Sequence, residues 1–269
     1  MMNYYLANYY ASKYQEFMGE KCQEKLIEGL KKFTTVENKN NKTVIGIDVG
    51  ANVGNTIPLF SEIFKTDNMN ILLFEPNPVN VRILKEKIKD NSNVKLYENA
   101  VSNETSICSF YNWKDSVLNE DGNPIGGLRA GGNKICDVKV VRLDDILKDY
   151  DINNLSINML KIDTEGNDTN VIKGLGKYLN CVKYLIFECS DCLDDHRGPG
   201  IPNPMKDIVE YLDQNGFHTY RIGTKKCFRV NGEYWNDIYE QKFWSDCFSC
   251  KKDDPINNLL VDKKFDYTF

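Results

Sequence analysis

Carboxylates stand at the ends of several apolar runs in this sequence. Asp48 comes near the end of Val44-Ile45-Gly46-Ile47-Asp48-Val49, and Glu75 follows Ile71-Leu72-Leu73-Phe74. Asp163 and Glu165 follow Ile157-Asn158-Met159-Leu160-Lys161-Ile162, and Glu188 follows Tyr184-Leu185-Ile186-Phe187. Such groups can accept the two hydrogens of a vicinal diol, take a proton from a weak acid, or gather a hard cation. Acids crowded at strand ends repel one another and cost stability, which makes a ligand a better reason for them than packing. At the carboxyl ends of parallel strands they face the crevice where ligands of open α/β sheets bind. His196, in a polar loop after the fifth apolar run, adds a group that titrates near neutrality.

The turn after the first run narrows the ligand. Asp48-Val49-Gly50-Ala51-Asn52-Val53-Gly54-Asn55 reads as a strand end, a tight turn and a helix start. Gly50 and Gly54 let the backbone turn sharply and approach a ligand closely. The turn is expected to offer unpaired N–H groups to a carboxylate or phosphate. A dinucleotide turn would carry G-x-G-x-x-G with its acid about 20 residues later. Here Asn52 stands where the second glycine should be, and the acid, Asp48, lies at the end of the strand itself. That is the S-adenosylmethionine version of the turn. Glu75 then falls at the tip of the neighbouring strand, where a carboxylate suits a ribose diol.

Strands must alternate with helices to hold these groups. Apolar runs at 44–49, 70–74 and 93–102 are separated by helical patterns at 57–64 and 79–90, which predicts βαβ units and a parallel sheet. The alternation lapses at 107–113 and 137–142, two strand-like runs with a Gly-rich insertion at 121–132 between them. Long insertions of this kind often carry function. Asp144 is expected to cap the helix that starts near Leu143. A strand at 157–162, a helix at 171–178 and a strand at 181–189 follow. A helix at 205–212 and strands at 217–222 and 243–250 complete the chain. Residues 1–40 read as an aromatic-rich helical extension, with Leu26, Ile27 and Leu30 turned toward the domain of 41–269.

The 269 residues carry a net charge of −5. That balance disfavours broad nucleic-acid affinity, which needs a surplus of Lys and Arg. No apolar run approaches the ~20 residues of a membrane span, and the N-terminus lacks a signal-peptide core, so a cytoplasmic protein with no membrane partner is expected. The nine cysteines are then expected as reduced thiols. Cys189/Cys192 and Cys247/Cys250 have zinc-like spacing but fall partly within strands, which disfavours a knuckle.

With Asp48-Val-Gly-Ala-Asn-Val-Gly, Phe74-Glu-Pro-Asn-Pro, Asn99-Ala-Val, Leu143-Asp-Asp and Lys161-Ile-Asp-Thr-Glu-Gly in order, the chain resembles the FkbM family of S-adenosylmethionine-dependent O-methyltransferases from about residue 43 onward. The resemblance implies an α/β fold: a seven-stranded Rossmann-like class I methyltransferase sheet, mostly parallel, with its last strand antiparallel between the two strands before it in sequence. It implies S-adenosyl-L-methionine as cofactor and methylation of a hydroxyl on a sugar, glycan or other small molecule. On that basis Asp48 and the backbone from Gly50 through Ala51, Asn52 and Gly54 hold the methionine end, with Asn55 beside them. Glu75 holds the ribose, Asn99 and Ala100 the adenine edge, and Asn77 and Asp163 complete the donor site. Asp163 is the favoured base, with Glu165 and His196 as competitors. Mg²⁺ on Asp163, Glu188 and Asp191 is conceivable but is not required. The insertion, where substrate choice is expected, and residues 1–40, a candidate homo-oligomer contact, lie outside the resemblance. An RNA ribose 2′-O-methyltransferase and a catalytically silent scaffold are the alternatives.

Overall fold

The computed structural model describes residues 23–33, 42–64, 69–112, 125–128, 132–188, 205–223, 227–240 and 246–260. The chain gathers into two compact units, one built on Thr34–Phe187 and the other on Met1–Phe33 with Pro202–Phe269. Helix α1 (Gln23–Phe33) belongs to the second of these.

The first unit opens with β1 (Thr43–Val49), α2 (Ile57–Phe64), β2 (Asn70–Phe74), α3 (Pro78–Ile88) and β3 (Val94–Tyr97). Then come β4 (Ala100–Val101), β5 (Ser106–Asn112), β6 (Gly126–Gly127), β7 (Lys134–Val141) and α4 (Leu143–Leu147). It closes with β8 (Leu155–Ile162), α5 (Asp168–Lys173) and β9 (Val182–Glu188). Five parallel strands run in the order β9-β8-β1-β2-β3. β1 lies at the centre with Ile45, Ile47 and Val49 sealed from water, as a strand covered on both faces requires. The register sets Asp48 beside Leu73 on one side and Lys161 on the other. The acid-bearing strand exits therefore arrive side by side.

The expected single strand over 93–102 breaks at Glu98 and Asn99. Its first half stays in the main sheet as β3, and its second half starts a separate sheet of order β4-β7-β5-β6. Ala100, Phe110, Val138 and Val140 form the core of that sheet. One face of it meets water, and Ile107 is 78% exposed. The helix expected at 79–90 runs over Pro78–Ile88; Asn77 caps it by accepting the Val79 N–H at 3.0 Å. Asp144 does not cap α4. The cap position belongs to Arg142, whose guanidinium takes both Asp144 oxygens and donates to the Asn103 carbonyl.

The second unit adds α6 (Met205–Gln214), β10 (Phe217–Ile222), β11 (Cys227–Arg229) and β12 (Asp246–Lys251). β10 pairs antiparallel with β11 along one edge and with β12 along the other. Leu26 and Leu30 of α1 are buried, and Gly29 lies against Leu259. The fold is the Rossmann-like α/β fold expected, mostly parallel with an antiparallel tail. Among the described residues the parallel strands and the tail number eight rather than seven, the addition being β11. No helix among the described residues is long and apolar enough to cross a membrane.

Candidate functional site

The exits of β1, β2 and β8 are stitched together by backbone. Gly50 and Ala51 both donate to the Phe74 carbonyl at 3.0 Å, and Asp163 donates to the Val49 carbonyl at 2.9 Å. Gly50 has a φ of +83°, and a Cβ on it would fall 1.8 Å from the Asp163 carbonyl oxygen. Only glycine allows β1 and β8 to end this close together. Asn52 and Gly54 also have positive φ, as does Glu165 on the exit of β8.

The turn departs from expectation in one respect. The N–H groups of Gly50, Ala51 and Gly54 are committed to carbonyls of Phe74 and Ala51, and that of Asn52 donates to Glu75 Oε2 at 2.8 Å. The amides of these four residues are consumed by the fold because the turn has to lock the second strand's acid in place.

Glu75 is the best-held group of the site. The Asn77 N–H donates to its Oε1 at 2.8 Å, opposite the bond from Asn52. Burial raises its carboxyl to about 7, against the pull of the Asn77 and Asn52 backbone donors and the Asn80 side chain, while Asp48 adds a smaller upward push. Asp48 is wholly buried, and neither of its oxygens has a hydrogen-bond partner among the described residues. Burial raises its pKa too, opposed first by Lys161, 4.0 Å away, and then by Thr56, whose hydroxyl is near but makes no well-formed hydrogen bond to it. Lys161 also reaches Asp163 Oδ2 at 3.2 Å.

A cleft of about 190 Å³ opens over these strand ends. Of the residues singled out in the sequence, Gly50, Asn52, Glu75, Asn77, Asn99, Ala100, Asp163 and Glu165 line it. Asp48 and Ala51 are buried outside the lining, as is Gly54; Asn55 is exposed, with its Oδ1 3.3 Å from Lys87 Nζ. His196, Asp191, Cys189 and Cys192 lie outside the described residues. Cys247 and Cys250 are buried in β12, and the Cys250 thiol donates to Asn257 Oδ1 at 3.2 Å. Asp168 serves the loop, since its Oδ2 accepts the Thr164 N–H and hydroxyl.

Sequence reasoning missed two groups. Lys161 is a lone cation in an apolar run, and that was its signal. Asn80 lies on α3, 3% exposed, and lines the cleft beside Glu75; a single asparagine in a helix carries no signal. The insertion also reaches this cleft: Ile125 through Leu128 form part of its wall, beside Phe110 of β5. A Cβ on Gly127 would sit 3.1 Å from Glu165 Cβ, so the chain passes closely there.

A cleft over acid-tipped parallel strands of a Rossmann-like sheet lies where ligands of open α/β sheets bind. The Methyltransferase FkbM domain matches residues 48–219, and the chain belongs to the FkbM family of S-adenosylmethionine-dependent methyltransferases. It is similar to methyltransferase sdnD of Sordaria araneosa, 29% identical over 171 residues covering 53% of this chain and 64% of that protein. The match thus spans less than two thirds of that relative. Among solved structures, a methyltransferase FkbM from Methylobacillus flagellatus aligns with a TM-score of 0.43 and 12% identity over 81% of this chain and 47% of that one. A methyltransferase of Streptococcus mutans in complex with SAH aligns with a TM-score of 0.42 and 12% identity over 87% and 99%.

The residues present fit the family's methyl donor, S-adenosyl-L-methionine. Glu75 is a buried carboxylate at the cleft, and two further cleft residues carry buried polar atoms with no partner among the described residues, Asn77 Nδ2 and Asn80 Oδ1. Buried polar groups left unpaired cost stability, and a polar ligand is the economical reason for keeping them.

Proposed function

We propose that this protein is an O-methyltransferase that acts on a hydroxyl of a sugar, glycan or other small molecule. The observation that carries the reading is Glu75, a carboxylate locked between two backbone donors at a β-strand tip and facing a cleft. When bound, S-adenosylmethionine supplies a methyl group already activated by its sulfonium. The protein has to align the acceptor, exclude water and remove the hydroxyl proton.

In this reading Glu75 and Asn77 hold the ribose side, and Asn99 with Ala100 lines the adenine side. Gly50, Asn52 and Gly54 shape the turn at the methionine end, with Ala51 and Asn55 on either side of it and Asp48 beneath. An aliphatic hydroxyl is about as weakly acidic as water, so a base or a metal must share the load. Asp163 is the base we favour. It is 46% exposed, lines the cleft, and is held by Lys161. Glu165 lines the same cleft and is the nearer competitor; His196 is the more distant one in sequence. Residues 41–269 act as the catalytic domain; of the helical extension expected over 1–40, all but Gln23–Phe33 lies outside the described residues.

Calorimetric titration with S-adenosylhomocysteine tests the donor site. The parent should bind in the micromolar range, and Glu75→Ala should lose about 100-fold, the scale of a charge-assisted hydrogen-bond pair. A folded parent that does not bind removes the reading. Methyl transfer to a panel of sugars then tests the base: Asp163→Asn at the parent's rate would exclude Asp163.

A further inference from the structure

Strand period and register put three charges on one face of the sheet. Residues two apart on a strand share a face, so Lys161 and Asp163 point the same way, while Leu160 and Ile162 turn to the other side and are buried there. Asp48 is the partner of Lys161 in the parallel register of β1 and β8, which sets it beside Lys161 on that face. Lys161 Nζ lies 3.2 Å from Asp163 Oδ2 and 4.0 Å from Asp48 Oδ1. On β9 the residue in register with Lys161 is Ile186, which brings no charge. The next acid along the β8 exit is Glu165.

The two carboxylates are unequal. Asp163 is half exposed and lines the cleft, so water can solvate it. Asp48 is sealed from water, and its oxygens have no hydrogen-bond partner among the described residues. A buried carboxylate depends on a cation far more than an exposed one does. Yet the ammonium stands closer to the exposed acid, an arrangement that holds while Asp163 is charged. With Asp163 neutral, the balance turns to Asp48. Lys161 needs to move only about 1 Å to reach the contact distance of a charged pair, and its four-carbon stem is flexible. The Asp163 backbone stays pinned to the Val49 carbonyl, so the ammonium is the part that moves.

We propose that Lys161 is a positioning residue shared by two acids: it holds Asp163 toward the cleft and turns to Asp48 when Asp163 takes the acceptor's proton. The inference rests on the reading of Asp163 as the base. In that step a lone pair of the acceptor oxygen forms the new O–C bond, the electrons of the broken C–S bond stay on sulfur, and the hydroxyl proton ends on an Asp163 oxygen. The ion pair that Asp163 gives up is replaced by one with Asp48, so the transfer strands no cation.

Asp163→Asn, neutral and of the same size as the protonated acid, makes the change of partner measurable without substrate. Its crystal structure should show Lys161 Nζ about 2.9 Å from an Asp48 oxygen. Lys161→Met should lower the melting temperature by about 6 °C in the parent and by about 10 °C in the Asp163→Asn background. Adding Asp48→Asn removes the stranded charge, keeps the lysine variant folded, and should shrink its loss to about 2 °C. A lysine that only packs would cost the same in every background. With the sugar of the panel that the parent methylates fastest, Lys161→Gln should lose about tenfold in kcat with both KM values within about twofold, and Lys161→Arg should recover most of that loss. Equal melting losses in parent and Asp163→Asn, an ammonium still at residue 163 in the variant crystal, or Lys161→Gln at the parent's kcat would overturn the shared cation while the base reading stands. Asp163→Asn at the parent's rate overturns the base reading and this inference with it.

Discussion

Both units of this protein bury polar side chains, and they treat them in opposite ways. In the β10–β12 unit Asn231 is fully buried and fully used. Its Oδ1 accepts from the Thr219 N–H and Arg229 Nε, and its Nδ2 donates to Asp213 and the Phe217 carbonyl. Asn257 likewise accepts from the Tyr220 hydroxyl and donates to the carbonyls of Lys251 and Asp254. Around the β1/β2/β8 exits, by contrast, Asp48, Asn77 and Asn80 bury atoms that nothing among the described residues satisfies. A saturated polar hub specifies a fold; an unsaturated one costs stability and waits for a ligand.

Gly50→Ala presses hardest on this contrast. Its Cβ would meet a backbone oxygen that cannot move without parting β1 from β8. We expect a loss above about 4 kcal/mol in a denaturant melt, the range of severe backbone strain and clash. Asn231→Ala should cost roughly 3 kcal/mol by stranding its partners, with S-adenosylhomocysteine affinity unchanged in calorimetry. A loss of affinity there would erase the division between structural and ligand-facing polar groups.

Glu75 supplies a test in pH. Its carboxyl is raised from 4.5 to about 7. A raised carboxyl contributes stability that is fully present below its unfolded pKa and is lost as pH rises through the folded one. Against Glu75→Gln, the parent should therefore lose roughly 3 kcal/mol of relative stability between pH 4.5 and pH 7, followed by the difference in melting temperature. A flat difference would show that Glu75 is ionised at little cost. The smallest effect should come from Asp48→Asn. Burial raises that carboxyl as well, and the neutral amide should gain about 1 kcal/mol near pH 8 while weakening S-adenosylhomocysteine binding. Stability rising as function falls is the signature of a site maintained against its own cost.

The sequence made much of this site legible. Asp48, Glu75, Asp163 and Glu165 announced themselves because each ends an apolar run, and period and length alone located the parallel strands. The break at Glu98–Asn99 was not legible: nothing local tells a strand to leave one sheet and begin another, since that depends on the partners β2 and β7 offer. Asp144 was misjudged as a cap for a related reason. The competing partner, Arg142, is two residues away and wins through a two-oxygen ion pair that propensity does not weigh.

The linear order of residues by itself therefore determined the βαβ alternation, the glycine turn and which acids stand at strand ends, because these follow from short-range periodicity and chain stiffness. Only the tertiary structure decided what those acids meet. Lys161 lies beside Asp48 through strand register, Asn80 lines the Glu75 cleft from a helix that follows it, and the insertion's Gly127 passes against Glu165. Pairings set by register and by close approach between distant segments have no local signal, because their free energy arises only when the segments meet.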